Sequence, residues 1–264
     1  MPLNPNDWHK RFTQQAGWTR ALRQYLYKTI QVTRSTKVLE VGCGTGAILA
    51  DFCSSPKEII ADTNDWGNLK SSYGLDIRLD YLSTAQKHLK YAHLIQGNAY
   101  HLPFESGSFD LTLCHYFLLW LTSPESALKE MLRVTRTGGF VVAFAEPDYG
   151  GRIDYPDELK HLGELQSIAL RLQGAEPKMG RHLMELFNNF NFEEKTFGVL
   201  ASQWTDYSDS EEFQTEWLVI SSDIEHLTSE DEFNNFYKIE KQSREENRRV
   251  LYVPTFYAWG KVKK

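Results

Sequence analysis

The sequence predicts an α/β fold, a Rossmann-like three-layer α/β/α sandwich around a mostly parallel sheet. Three observations predict it. Val38 to Val41 is a short, nearly apolar run followed at once by Gly42, Gly44 and Gly46, as when a buried strand turns sharply toward a helix. From residue 37 to 146, short apolar runs alternate with amphipathic segments, the pattern of parallel strands joined by right-handed crossovers. With 264 residues, 41% of them hydrophobic and 24% charged, the chain is long enough to bury one large core and a cap.

Residues 7–30 read as helix, with Trp8, Phe12, Trp18, Leu22, Tyr25 and Leu26 as an apolar stripe, and Gly17 divides it into two segments. The glycine turn then needs residues without Cβ, both to bend and to let a ligand lie against the main chain. A helix from Ala47 to Cys53 follows, ended by Ser54-Ser55-Pro56, and its free N–H groups would face the ligand. Two segments compete for the second strand, Glu58 to Asp62 and Tyr73 to Ile77. Each carries an acid near its end, and only the second leads into an amphipathic helix, Tyr81 to Leu89. Asp62 falls where a dinucleotide fold wants its ribose carboxylate. His93 to Gln96 is a third strand, closed by Gly97-Asn98-Ala99, and Phe109 to Cys114 a fourth, with His115 at its end. Ser123-Pro124 starts a helix over Glu125 to Thr135, ended by Gly138-Gly139. Phe140 to Glu146 reads as a central strand. Helices at 158–172 and 180–190, a strand at 193–204, a mostly helical region at 206–247 and a last strand at 252–260 complete the chain.

Gly42-x-Gly44-x-x-Ala47 also satisfies the dinucleotide fingerprint, so the glycines alone leave the cofactor open. Glu40 narrows the choice, because a carboxylate two residues before the first glycine repels a pyrophosphate and suits an ammonium group. The resulting Glu-x-Gly-x-Gly-x-Gly resembles the first motif of the class I methyltransferases that depend on S-adenosylmethionine (SAM). Later segments are similar to that family: Gly74-Leu75-Asp76-Ile77, the Leu102-Pro103-Phe104 to Ser108-Phe109-Asp110 stretch, and Arg133 to Gly139 without the usual proline. Gly97-Asn98-Ala99 carries asparagine where the family usually has aspartate, and still offers an acceptor oxygen. The resemblance implies a seven-stranded sheet in the order 3-2-1-4-5-7-6. It also implies SAM as cofactor, with S-adenosylhomocysteine as product, held by Glu40, Gly42, Cys43, Gly44, Gly46, Asp76, Ile77, Asn98, Ala99 and His115. On the same resemblance Asp76 ranks ahead of Asp62 as the carboxylate for a ribose. A leading helix often closes over SAM in this family, which adds Gln15 and Trp18, with Gln14 and Arg23 beside them. The implied division is a helical lid at 1–36, a SAM-binding core at 37–204 and 250–264, and a helical cap at 205–249.

Methyl transfer asks little of side-chain chemistry, since positioning a nucleophile in line with an electrophilic methyl can supply about 7–11 kcal/mol. A base is needed only for a nucleophile that arrives protonated, and His115, then Asp148, are the candidates. Tyr149, Arg152, Trp204 and Trp217 would wall an acceptor pocket. In the cap, Phe213, Trp217 and Ile220 share one helical face and Phe233, Phe236 and Tyr237 another, to be buried against the cleft mouth or a second subunit. A net charge of -6, with no basic run beyond residues 261–264, favours a small-molecule acceptor over nucleic acid. Three scattered cysteines suggest reduced thiols, a cytoplasmic protein and no metal site. No apolar run is long enough to span a bilayer. A monomer or homodimer is expected. The alternatives are a SAM-binding regulatory or partner protein without acceptor chemistry, and an NAD-dependent oxidoreductase.

Overall fold

The computed structural model describes residues 3–53, 71–200 and 210–263. A seven-stranded sheet runs through its middle. The strands are β1 (Val38–Val41), β2 (Ser72–Asp76), β3 (His93–Gln96), β4 (Phe109–Cys114), β5 (Thr135–Pro147), β7 (Phe192–Leu200) and β9 (Thr255–Val262). Their order is β3-β2-β1-β4-β5-β9-β7, parallel from β3 to β5, with β9 antiparallel to both of its neighbours. Two short strands, β6 (Ile153–Tyr155) and β8 (Val250–Tyr252), form a separate antiparallel ribbon. With that ribbon set aside, the large sheet has the arrangement 3-2-1-4-5-7-6. The sequence does not announce the ribbon, because three-residue strands carry too little pattern.

The strand beside β1 is Ser72–Asp76, which puts Asp76 at its carboxyl end; Asp62 lies outside the described residues. Helices α1 (Pro5–Thr29) and α2 (Leu79–His88) cover one face of the sheet, and α3 (Pro124–Val134) and α5 (Met179–Asn188) the other. α1 is continuous, against the expected break at Gly17. Asn4 and Asp7 form a capping box at its start, and a mid-helix glycine costs only about 1 kcal/mol. α3 stops at Val134, so Gly138 and Gly139 do not end it. They lie inside β5, where a Cβ on Gly139 would sit 2.7 Å from the Asp110 carbonyl.

The predicted helix at 47–53 is a four-residue 3₁₀ turn, Leu49–Phe52. Asp51 there is drawn onto α1, bonding the Arg23 guanidinium and the Tyr27 hydroxyl. The last two helices, α6 (Ser210–Ile224) and α7 (Glu230–Glu245), pack on α4 (Lys160–Leu172) around a core of their own. Leu159, Leu162 and Leu165 meet Phe213, Ile220, Ile224 and Phe236 in it. The apolar face of this segment thus packs largely on α4, and Ile220 on it also lines a cavity beside α1. No helix among the described residues is long and apolar enough to cross a membrane.

Candidate active site

The cleft forms where β1, β2 and β4 end together. Gly42, Gly44 and Gly46 have φ of 73°, 53° and 82°, in the left-handed region where other residues are strained. Added Cβ atoms would strike Phe117 at Gly42, Phe12 at Gly44 and Leu89 at Gly46. The turn is therefore folded tightly against α1 and the segment after β4. Four of its N–H groups are spoken for: those of Gly42 and Cys43 donate to the Leu75 carbonyl, that of Gly44 to Asp76 Oδ2, and that of Gly46 to the Cys43 carbonyl. With no α-helix after the turn, the expected row of free donors is not formed there. A pyrophosphate would find neither, which weakens the dinucleotide reading.

Glu40 is 2% exposed, and its Oε2 has no hydrogen-bond partner. Burial, then the negative charge of Asp51, push its carboxyl well above the usual range, against the pull of the Arg23 guanidinium. A buried carboxylate oxygen left over in this way is the kind of group an ammonium satisfies. Asp76 accepts from the Gly44 N–H and the Arg78 N–H, both at 2.8 Å, while burial raises its pKa. Next to it Ile77 is 67% exposed, an apolar side chain at a strand end with little covering it. Asn98 turns its Oδ1 onto the Tyr100 N–H at 2.9 Å, leaving one lone pair for a ligand, and Ala99 is buried beside it. Cys43 is buried, so only its backbone faces the turn.

His115 does not present itself as a base. Its Nε2 shares a 2.9 Å hydrogen bond with Thr19 Oγ1 on α1, and burial, with Arg23 nearby, holds its pKa well below the usual value. Asp148 is also corrected. It is 3% exposed, both oxygens accept from Arg181, and Oδ1 also takes the Gly150 N–H. Its carboxylate pins the loop after β5 and is committed to Arg181.

Beside the cleft lies a cavity of about 1040 Å³ between α1, α6, the loop after β5 and β8. Gln15, Trp18, Tyr149 and Arg152 line it. On α1, Phe12 and Thr19 reach the glycine turn and His115, whereas Gln15 and Trp18 lie on the flank that faces the cavity. Both line the cavity, Trp18 under the Arg11 guanidinium at 4.8 Å. Arg152 is tied to Asp154 and Gln166. Trp217 does not line the cavity. It is 8% exposed and packed among Phe213, Phe233 and Tyr237 in the core of the cap. Trp204 lies outside the described residues.

Three residues to which the sequence assigned no role also bear on the cleft and the cavity. Tyr116, with φ of 48°, points into the cavity where its neighbour His115 points away, and burial raises its hydroxyl to about 12. Successive residues at a strand end face opposite ways, so the alternation after Cys114 was the available signal. Glu146 is fully buried and takes the N–H groups of Phe117, Leu118 and Leu119, fixing the segment that packs on Gly42; burial lifts its pKa to about 7. Arg11 lines the cavity from α1.

The fold is that of solved methyltransferase structures. Residues 39–143 match the family described as "Methyltransferase domain". It is 29% identical over 190 residues to an uncharacterized methyltransferase of Schizosaccharomyces pombe, covering 67% of this chain and 64% of that one. It is 34% identical over 134 residues to a demethylmenaquinone methyltransferase of Staphylococcus haemolyticus, covering 50% of each. The matches thus span between half and two thirds of these relatives' length. Among solved structures, a provisionally assigned methyltransferase from Bacillus halodurans superposes with a TM-score of 0.58 at 12% identity, over 91% of this chain and 98% of that one.

Proposed function

We propose that the protein transfers a methyl group from SAM to a small-molecule acceptor held in the cavity beside the cleft. The observation that carries this reading is Glu40: a buried carboxylate oxygen without a partner, directly before the glycine turn, suits the ammonium of SAM. Asp76 would take the ribose hydroxyls, Ile77 and Ala99 the faces of the adenine, and Asn98 its amino group. Bound SAM supplies a sulfonium methyl that is already electrophilic. The protein's own part is to orient the acceptor and exclude water, work that α1, as a lid over the turn, and α6 are placed to do. With His115 tied to Thr19 and Asp148 to Arg181, this reading assigns no general base among the two. Tyr116 would orient the acceptor as a hydrogen-bond donor, since its high pKa keeps it protonated at neutral pH. The demethylmenaquinone methyltransferase relatives and a cavity of about 1040 Å³ support a small organic acceptor.

Calorimetry tests the cofactor. SAM and S-adenosylhomocysteine should bind, and NAD(H) should give no heat at the same concentration; preferred NAD(H) binding would sink the proposal. Incubation with SAM and a metabolite extract tests turnover. Binding without any S-adenosylhomocysteine formed would point instead to a SAM-binding regulator.

A further inference from the structure

The cavity beside the cleft is walled by four arginines, and three of them are neutralised. Arg152 pairs with Asp154, Arg249 with Asp154 and Glu240, and Arg244 with Glu240 and Glu216, in one buried chain of alternating charge. Three arginines thus share three carboxylates. Arg11 is the fourth, and it stands outside that chain.

Arg11 is 7% exposed, and its Nε has no hydrogen-bond partner. Its Nη1 donates to Gln14 Oε1 at 2.8 Å, and no described carboxylate lies within ion-pairing distance of it. Glu216 and Asp223 feel its charge but are held elsewhere, Glu216 by Arg244 and Asp223 by the amides of Gln166 and Gln173. A buried guanidinium is costly unless an anion or other acceptor meets it. Gln14 fixes its far side by donating in turn to the Glu212 carbonyl on α6, and Trp18 lies against it. The edge left over, from Nε, is the one that meets a carboxylate or phosphate through parallel hydrogen bonds.

We propose that Arg11 is the anion receptor of the acceptor cavity, and that the methyl acceptor carries a carboxylate or phosphate group. The proposal rests on the methyltransferase reading for the word acceptor, but the anion site can be tested without turnover. Benzoate, phenyl phosphate and the neutral benzamide are titrated calorimetrically into the full chain at matched ionic strength. S-adenosylhomocysteine is titrated separately. At least one anion should bind about 10–100-fold more tightly than benzamide, the range for a charge-assisted hydrogen bond. Whichever anion does so identifies the group. Arg11→Gln should erase that preference and leave S-adenosylhomocysteine affinity within about twofold of the original. Arg11→Lys, which keeps the charge, should retain part of the preference and decides the matter should the glutamine variant fail to fold. Equal binding of anions and benzamide overturns the proposal, as does a preference that survives in Arg11→Gln. Weakened S-adenosylhomocysteine binding in Arg11→Gln, with the anion preference intact, overturns it too and moves Arg11 to the cofactor. Failure of S-adenosylhomocysteine to bind the unaltered protein defeats the methyltransferase reading alone, because the anion titrations stand without it.

Discussion

Replacing Glu40 by glutamine should move stability and cofactor affinity in opposite directions. The side chain is fully enclosed, Asp51 repels it, and the attraction of Arg23 does not offset its burial. Its folded pKa therefore lies above its unfolded value of about 4.3. The folded state holds the proton more firmly than the unfolded chain does. The stabilisation that Glu40 contributes is accordingly full below the unfolded pKa and is lost as pH rises through the folded one. Above the folded pKa the ionised carboxylate opposes folding, and Glu40→Gln removes that opposition. The variant should melt at the same temperature as the unaltered protein near pH 5 and equal or exceed it near pH 8. SAM affinity should fall, because an ammonium–carboxylate hydrogen bond of about 1.5–3 kcal/mol corresponds to roughly 10–150-fold in Kd. Melting curves at several pH values and calorimetry with SAM make the measurement. A glutamine variant that is less stable at pH 8 and binds SAM unchanged would show that Glu40 serves the fold and not the cofactor.

Glu146, with a folded pKa of about 7, should make stability decline by up to about 3 kcal/mol between pH 5 and pH 8, and Glu146→Gln should flatten that decline in pH-dependent melting. The same variant leaves one of three backbone N–H groups without an acceptor, at about 1–3 kcal/mol in overall stability at acidic pH, where denaturant unfolding reads it directly. Asp76→Ala should weaken SAM binding by about 1–3 kcal/mol in calorimetry; an unchanged Kd would remove Asp76 from the ribose site. Trp217→Ala should cost about 3–5 kcal/mol of stability and leave SAM affinity alone, since the indole packs inside the cap; a large loss of SAM binding in a folded variant would return Trp217 to the site.

The parts legible in the sequence are those whose cause is local. Strands β1, β3 and β4 are short apolar runs closed by glycine or a polar turn, and they form where the pattern places them. The glycine turn is legible because positive φ at three alternate positions restricts the residue type itself. Asp76 could be ranked over Asp62 because Gly74-Leu75-Asp76-Ile77 resembles the methyltransferase strand end. Where a distant group decides, the sequence is silent. Whether residues 47–53 coil as helix depends on Arg23 and Tyr27 drawing Asp51 onto α1, across more than twenty residues of chain. His115 and Asp148 look equally free as letters, and only their contacts with Thr19 and Arg181 show that each is held. Trp217 has the composition of a pocket wall, yet α4 offers it an apolar partner, and burial there outweighs exposure to a polar cavity. Arg11 differs from the other arginines in nothing that the sequence records. Its charge is left over because Asp154, Glu216 and Glu240 are taken by three arginines that are brought beside them only when the chain is folded.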